Sequence, residues 1–330
     1  MMVRDANEIS MKPFPFDLLA ASQPTPLADS SLLAQRPCLN RPRHHAVESH
    51  LFVPGNELAV AINTALCVGD PLLITGDPGT GKTQAAYYLA WKLGLGSVLH
   101  FQVRSTSTAR DLLYTFDTIR YFQEAHAPAR TSGPECLSID KTRFRKMGHL
   151  WEAIAAAKET GSPRVVLIDE IDKAPRDFPN DLLHELDQMH IVCPDTGEEV
   201  RAEPRHRPIV VITSNSERRL PEPFLRRCVF HHIEFNEHLL RDILKSRRQE
   251  FSALSEGIIN VAIDKFMTLR SRGLRKVPST AEFLVWLRVL ATAGGIEENN
   301  LRNLDLSSLP YLGTLVKDQG DRRDLKTGAG

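Results

Sequence analysis

The sequence predicts an α/β fold, in which a parallel sheet carries helices on both faces, followed by a smaller all-helical domain. Three observations support this prediction. The apolar runs 165–168 and 209–213 are typical of strands buried on both faces, as in the middle of a parallel sheet. Helical patterns alternate with strand patterns between residues 51 and 235. Residues 237–317 show helical spacing of apolar residues and no strand pattern.

The elements follow from the patterns in chain order. Residues 1–50 contain six prolines and little periodicity, which indicates an extended, partly disordered arm. We predict an α/β domain over 51–235, a helical domain over 236–318 and a flexible tail over 319–330. The predicted elements are helices at 56–67, 108–127, 149–160 and 179–190, a strand at 97–103, an insertion at 128–147 with short strands near 136–139 and 142–144, a hairpin at 191–207, and helices at 237–250, 257–271, 280–293 and 307–317.

The first strand runs into a glycine-rich loop, in the stretch PLLITGDPGTGKT at residues 71–83. The loop fits G-x-x-x-x-G-K-[ST], in which backbone N–H groups and the start of a helix hold the phosphates of a nucleotide. Lys82 is expected to reach the β- and γ-phosphates, and the Thr83 hydroxyl to ligate Mg²⁺. A chance turn would be simpler, but a strand pattern precedes the loop and a helix pattern follows it. The residues predicted to bind the nucleotide are Gly76, Asp77, Pro78, Gly79, Thr80, Gly81, Lys82 and Thr83.

Two further strands end in polar residues. The run VVLIDEID at 165–172 places Asp169 and Glu170 at a strand end, where an open α/β sheet binds its ligands. We expect Asp169 to hold Mg²⁺ and Glu170 to polarise the attacking water. Asn215 follows the run 209–213 and could hydrogen-bond the γ-phosphate or that water. The alternatives are a surface acidic turn and a capping asparagine.

Composition excludes some function classes. The 330 residues hold 41 basic and 41 acidic side chains, so the formal charge of zero argues against a general nucleic-acid-binding surface. No apolar run reaches the 18 or so residues of a membrane span, and the first twenty residues do not resemble a signal peptide. The five cysteines form no CxxC pair, so we expect a reduced, cytoplasmic location.

The order of these motifs resembles that of the AAA+ ATPases, and its details resemble the MoxR-like branch with a helix-2 insert and a pre-sensor-1 hairpin. The resemblance covers roughly residues 52–290. The stretches that carry it are PLLITGDPGTGKT, STSTARDLLYTFDTIRYFQEA, VVLIDEIDKAPRDFPNDLL and ITSNSERRLPEPFLRRC.

The resemblance implies roles for particular positions. Asn215 matches sensor 1, and Arg226 or Arg227 matches an arginine finger that acts on the nucleotide of a neighbouring subunit. No arginine stands where many relatives carry sensor 2, so Lys276 or Arg275 could substitute there, or the role could be absent. The helices after 236 resemble a lid, and the insertion and the hairpin match segments that face the pore or a partner.

The function implied is Mg-ATP hydrolysis in a homo-oligomeric ring, expected to be hexameric. The ring would remodel or activate a partner protein in a chaperone-like manner, often a von Willebrand factor A protein and in some relatives within bacterial defence systems. One alternative is a nucleic-acid motor of a restriction complex, which the neutral charge and the stretch ITSNSERR disfavour. Another is a nucleotide-gated assembly switch with little hydrolysis, which Glu170 and the arginine pair disfavour.

Overall fold

The computed structural model describes residues 45–126 and 139–327. The predicted arm up to residue 44, residues 128–138 of the predicted insertion and the last three residues lie outside the described ranges. The described residues form two compact units. The larger comprises residues 45–77 and 81–234, and the smaller comprises residues 78–80 and 235–327.

A five-stranded parallel sheet forms the centre of the larger unit. The strands of the described chain are β1 Leu72–Gly76, β2 Leu99–Gln102, β3 Tyr114–Phe116, β4 Arg145–Met147, β5 Val165–Asp169, β6 His190–Cys193, β7 Glu198–Arg201, β8 Ile209–Ser214 and β9 Val229–Ile233. The sheet has the order β2-β5-β8-β1-β9, and every pairing in it is parallel. The predicted α/β class is therefore confirmed.

Helices surround this sheet because both of its faces are apolar. Alternate residues of a strand point to opposite faces, and both sets are buried in β1 and β5. One face packs against residues of the helix at 149–160, including Leu150 and Ile154. The helices of the larger unit are α1 Asn56–Val68, α2 Lys82–Lys92, α3 Ala109–Leu113, α4 Thr118–Ala125, α5 His149–Thr160, α6 Phe178–Asp181, α7 Leu183–Gln188 and α8 Glu222–Leu225.

Helices α1 and α5 confirm the predictions for 56–67 and 149–160. Each ends at a glycine in the left-handed conformation, Gly69 with φ 80° and Gly161 with φ 67°. A glycine takes this conformation without the steric cost that a Cβ atom would bring. The hairpin prediction is also confirmed, since β6 and β7 pair antiparallel with Ile191 opposite Val200.

The predicted helix over 108–127 is wrong as a single element. The chain leaves the helix at Tyr114, and β3 pairs antiparallel with β4, so that Tyr114 lies opposite Met147. Asp117 then caps the separate helix α4 by accepting a hydrogen bond from the N–H of Arg120. The aromatic spacing of this stretch suits either a helix or a strand, and the pairing with a distant segment decides between them.

Other boundaries also differ from the predictions. The predicted short strand at 142–144 is a 3₁₀ turn, and β4 begins only at Arg145. The predicted helix over 179–190 starts at Phe178 and is divided between α6 and α7. Strand β9 was not predicted. It forms one edge of the sheet and alternates partly buried with exposed residues, so it lacks the continuous apolar run of the inner strands.

The smaller unit is helical. Its helices are α9 Glu237–Ser246, α10 Glu256–Arg270, α11 Thr280–Ala293, α12 Glu298–Asn303 and α13 Gln319–Thr327. They enclose a second core that includes Phe266, Phe283 and Trp286. Helix α11 begins at a capping box in which Ser279 and Glu282 bond each other's backbone N–H groups.

Two predictions for the end of the chain need correction. Residues 307–317 contain short 3₁₀ turns rather than a helix, and α12 before them was not predicted. The predicted flexible tail contains helix α13. Its buried residue Asp321 accepts hydrogen bonds from the backbone N–H groups of Arg275 and Lys276, which ties this polar helix to the loop before α11. In the described part of the chain, none of the helices is long and apolar enough to cross a bilayer.

Candidate functional site

The predicted motifs meet at one edge of the sheet. Strands β1, β5 and β8 are adjacent and parallel, so their C-terminal ends lie together. The glycine-rich loop follows β1, Glu170 follows β5, and Asn215 follows β8. The polar residues of three separate motifs therefore converge where open α/β sheets bind ligands.

The backbone at the start of the glycine-rich loop binds the side chain of Lys82. Gly79 and Gly81 have φ values of 81° and 95°, which favour residues without a Cβ atom. The Lys82 ammonium donates hydrogen bonds to the carbonyl oxygens of Gly76 at 2.7 Å and Asp77 at 2.9 Å. Helix α2 begins at Lys82 itself, so the positive end of its dipole faces the loop. The loop thus presents a cation and a helix N-terminus to an anionic ligand.

Burial weakens the hold of Lys82 on its proton. The side chain is buried, and desolvation lowers its pKa from the ordinary value of 10.5. The carboxylates of Asp172, Asp77, Asp169 and Glu170 act in the opposite direction without cancelling the effect of burial. A phosphate group beside Lys82 would add further negative charge and favour the ammonium.

Asp169 is the most heavily bonded side chain of the site. Its Oδ1 accepts hydrogen bonds from the Thr213 hydroxyl at 2.6 Å and the Thr83 hydroxyl at 3.0 Å. Its Oδ2 contacts His100 Nε2 at 3.1 Å. Burial alone would raise the pKa of Asp169, but these hydrogen bonds outweigh burial and hold the pKa below 3.8. Asp169 is therefore a carboxylate at neutral pH.

The donor set around Asp169 suits Mg²⁺. The Thr83 hydroxyl lies 3.0 Å from Asp169 Oδ1, so a hydroxyl and a carboxylate converge, and hard oxygen atoms are the ligands that Mg²⁺ prefers. Among the described residues no group of three or more His, Cys, Asp or Glu side chains is placed to hold a metal ion.

The backbone conformation of Glu170 and its hydrogen bonds together orient its carboxylate. Its φ of 60° is unusual for a residue with a Cβ atom, and its N–H donates a hydrogen bond to the Thr213 hydroxyl at 2.9 Å. Its Oε2 accepts hydrogen bonds from Gln102 Nε2 at 2.7 Å and from Lys173 Nζ. The carboxylate is thus oriented by two donors and remains partly exposed.

Asn215 is placed by a buried acid that the sequence reading did not single out. Asp172 is 3% exposed and accepts hydrogen bonds from the backbone N–H groups of Asn215 at 3.2 Å and Glu217 at 3.1 Å. Asp172 therefore fixes the start of the loop after β8, while the side chain of Asn215 stays partly exposed.

The structure separates the two arginines that the sequence left equivalent. Arg226 is 74% exposed, and its contact is an ion pair with Glu222 one helical turn earlier. Arg227 is 44% exposed and is held at both sides, by Asp187 Oδ2 at 2.6 Å and by the carbonyl oxygen of Pro223 at 3.0 Å. Arg226 is thus the more accessible of the two guanidinium groups.

Lys276 belongs to the smaller unit. Its backbone N–H donates a hydrogen bond to Asp321, and its side chain is exposed. The residues that meet at the C-terminal ends of β1, β5 and β8 are Lys82, Thr83, Asp169, Glu170 and Asn215. Arg226 and Arg227 lie farther along the chain after β8.

Several residues of the site were missed from the sequence. Their signals were present but weak, since Thr213 ends the predicted strand run 209–213, Asp172 closes the acidic stretch, and His100 and Gln102 occupy alternate positions of β2. A period of two predicts that alternate residues share a face. It does not predict which strand lies beside β2. The site residues missed are Tyr87, His100, Gln102, Asp172, Lys173 and Thr213.

One family model matches the part of the chain that builds the site. Residues 71–228, a little under half of the chain, match the model of the AAA domain, dynein-related subfamily. A search of curated proteins gave no match. The solved structures that resemble the chain include a candidate ATPase from Cytophaga hutchinsonii, with 14% identity, a TM-score of 0.38, and coverage of 88% of this chain and 93% of that one.

A second similar structure is NtrX from Brucella abortus in complex with ADP. It has 14% identity and a TM-score of 0.45, and the match covers 86% of this chain and 62% of that one. Likenesses at this level carry no conclusion about ligands. The family match coincides with the strands and loops that build the site, from the strand before the glycine-rich loop to the residue after Arg227. Residues 71–228 are thus similar to the AAA domain of the dynein-related subfamily.

Proposed function

We propose that the chain is a MoxR-like AAA+ ATPase that hydrolyses Mg-ATP at the subunit interfaces of a ring and uses the energy to remodel or activate a partner protein. The observation that carries this proposal is the convergence of Lys82, Thr83, Asp169 and Glu170 at one edge of the sheet. The 3.0 Å contact between the Thr83 hydroxyl and Asp169 joins two motifs that lie 86 residues apart in sequence.

The residues of the loop would bind the triphosphate. The Lys82 ammonium, now bonded to two loop carbonyls, would turn to the β- and γ-phosphates. Thr83 and Asp169 would hold Mg²⁺, which neutralises phosphate charge when bound. Burial of Lys82 favours this exchange, because a desolvated cation gains more from a phosphate than an exposed one does.

Glu170 would orient the water that attacks the γ-phosphate. Its carboxylate accepts hydrogen bonds from Gln102 and Lys173, so these contacts must rearrange or admit the water before proton transfer. Asn215 would contribute a polar side chain from the neighbouring strand end, in a loop that Asp172 fixes.

The ring is proposed because the finger candidate is exposed. We assign the finger to Arg226, since Arg227 is occupied by Asp187 and Pro223. In this proposal the residues after 236 act as a lid, with Lys276 as the candidate for a sensor-2 role. The partner class that the resemblance suggests is a von Willebrand factor A protein.

The test of the catalytic assignment is Glu170→Gln. Glutamine keeps the shape of the side chain but does not accept a proton, so we expect ATP turnover to fall about 10²- to 10⁴-fold, the usual contribution of a general base. Binding of ATP should be unchanged, because Lys82 and the loop remain intact. Turnover is measured by phosphate release and binding by a fluorescent ATP analogue.

The matched control is Glu217→Gln, which removes an exposed carboxylate from the loop after β8. This variant should turn over ATP as the unchanged chain does. Turnover in Glu170→Gln within twofold of the unchanged chain would contradict the assignment of Glu170. Absence of ATP binding to the unchanged chain would contradict the proposed function as a whole.

A further inference from the structure

The two oxygens of the Asp169 carboxylate are held by different donors. Oδ1 accepts hydrogen bonds from the Thr213 hydroxyl at 2.6 Å and the Thr83 hydroxyl at 3.0 Å. Oδ2 contacts Thr83 only at 3.3 Å, and its better donor is His100 Nε2 at 3.1 Å. Without His100, the carboxylate would keep firm bonds at one oxygen only, and Oδ2 could swing about the terminal bond of the side chain.

The ring of His100 is itself fixed at its second nitrogen. Tyr87 on α2 lies with its hydroxyl 3.0 Å from His100 Nδ1. The Asp169 carboxylate only accepts hydrogen bonds, so the hydrogen between it and His100 lies on Nε2. In a neutral imidazole Nδ1 then carries no hydrogen and accepts one from the Tyr87 hydroxyl. The direction of both hydrogen bonds is thereby set.

Tyr87 is held in turn by residues before the sheet. The ring of His45 stacks on Tyr87 with centroids 5.2 Å apart. His45 is tied to Gln84, one turn before Tyr87 on the same helix, through its ring nitrogen at 2.7 Å and its carbonyl oxygen at 2.8 Å. The backbone of His100 is also fixed, since its carbonyl oxygen contacts His149 Nε2 at 3.0 Å. Neither ring can leave without breaking several contacts.

A purely structural role would require less than this. An apolar residue at position 100 could pack against Tyr87 on α2 without a donor aimed at a buried acid. The imidazole N–H of His100 donates to Oδ2 of Asp169, the oxygen that Thr213 does not contact. Outer hydrogen-bond donors of this kind orient a ligand before the metal arrives.

We propose that His100 is a positioning residue for Asp169: fixed by Tyr87, it holds Oδ2 so that the carboxylate is oriented for Mg²⁺ before the nucleotide binds. This inference rests on the proposed function, because it presupposes Mg-nucleotide at Asp169. His100 does not touch the nucleotide or the reacting atoms in this proposal. Its effect should therefore appear in the Mg²⁺ dependence of binding rather than in nucleotide affinity without metal.

The experiment measures the affinity of a fluorescent ATP analogue as free Mg²⁺ is varied, with an EDTA baseline. For His100→Leu we expect the Mg²⁺ concentration at half-maximal tightening to rise about 10-fold or more, as for other outer-sphere donors. Affinity in EDTA should be unchanged. His100→Gln, whose amide can still donate to Oδ2, should restore most of the Mg²⁺ response, and Tyr87→Phe should weaken it in the same direction but less.

The matched control is His190→Leu, because His190 is similarly buried and also pairs with a carboxylate, that of Glu199. This variant should leave the Mg²⁺ midpoint unchanged. Thermal unfolding of each variant without ligand verifies that it is folded. An unchanged midpoint in His100→Leu overturns the inference, and so does an equal loss of affinity in EDTA. Nucleotide binding by the unchanged chain that does not respond to Mg²⁺ would instead contradict the proposed function.

Discussion

Lys82 carries a charge that the folded chain buries. Because burial lowers its pKa below 10.5, the folded chain holds this proton less tightly than the unfolded chain does. The charge therefore costs stability at neutral pH, and the cost disappears as pH rises from the lowered pKa through 10.5. In the proposed function this cost is retained because Lys82 would bind an anionic ligand, in keeping with the strain often found at functional sites.

Lys82→Met should separate stability from binding. We expect the melting temperature of the nucleotide-free variant to stay equal or rise, since methionine fills the space without a desolvated charge. Affinity for ATP should fall about 10- to 100-fold, the loss of a hydrogen bond to a charged group. Thermal unfolding with and without ATP measures both effects. Lys92→Met, at the exposed end of the same helix, is the control and should change neither quantity. A marked loss of stability in Lys82→Met would contradict this account.

Among the elements, the hairpin β6–β7 is anchored by two arginines of the segment that contains α3, β3 and β4. Arg145 is 7% exposed, forms two hydrogen bonds to Glu198 and lies over the ring of Trp151 at 4.4 Å. Arg110 pairs with Asp195 near the tip of the hairpin and lies over Tyr114. These contacts link the antiparallel pair β3–β4 to the hairpin β6–β7. A displacement of the hairpin would therefore strain the contacts of the β3–β4 pair as well.

Glu198→Ala should loosen the hairpin. It leaves the buried Arg145 without its carboxylate, and because Glu198 is itself partly exposed we expect a local cost of about 2 kcal/mol, below that of a fully buried pair. Amide exchange in β6 and β7 should then accelerate about 30-fold. Glu199→Ala, next along β7 and 68% exposed, is the matched control. Equal exchange in the two variants would show that the ion pair does not anchor the hairpin.

At the scale of the whole molecule, the proposed active site needs a second copy of the chain. Arg226 is exposed, and its ion pair with the similarly exposed Glu222 is screened by solvent, as expected for a group that would act on a neighbour's nucleotide. Arg226→Ala should lower turnover about 10³-fold or more, the usual contribution of an arginine finger. Arg227→Ala should change turnover by about twofold or less, as for most surface substitutions.

Mixing variants tests whether Arg226 acts between subunits. Arg226→Ala subunits keep an intact loop, and Lys82→Met subunits keep an intact Arg226, so a mixed ring would contain some complete sites. Phosphate release from the mixture should exceed that of either variant alone and should depend on the mixing ratio. If no ratio restores turnover while both variants remain folded and assembled, Arg226 does not act in trans.

The sequence by itself determined the inner strands and the residues at their ends. Continuous apolar runs such as 165–168 are stable as strands only when both faces of the sheet are covered. The order of the residues alone therefore predicts that these segments are inner strands. The conformation of the glycine-rich loop is also determined locally, because it depends on the positive φ angles of the glycines within the loop itself. The predicted motif residues Lys82, Thr83, Asp169 and Glu170 lie in these segments.

Only the tertiary structure decided which side chains surround Asp169. Thr213, His100 and Thr83 come from three different segments, and the strand order β2-β5-β8-β1-β9 brings them to one carboxylate. Strand β9 and the pairing of β3 with β4 were hidden for the same reason, since a half-exposed strand is stabilised by its neighbours rather than by its own pattern. The sequence specifies local conformation, whereas the orientation of the Asp169 carboxylate depends on contacts between residues 44 to 86 positions apart.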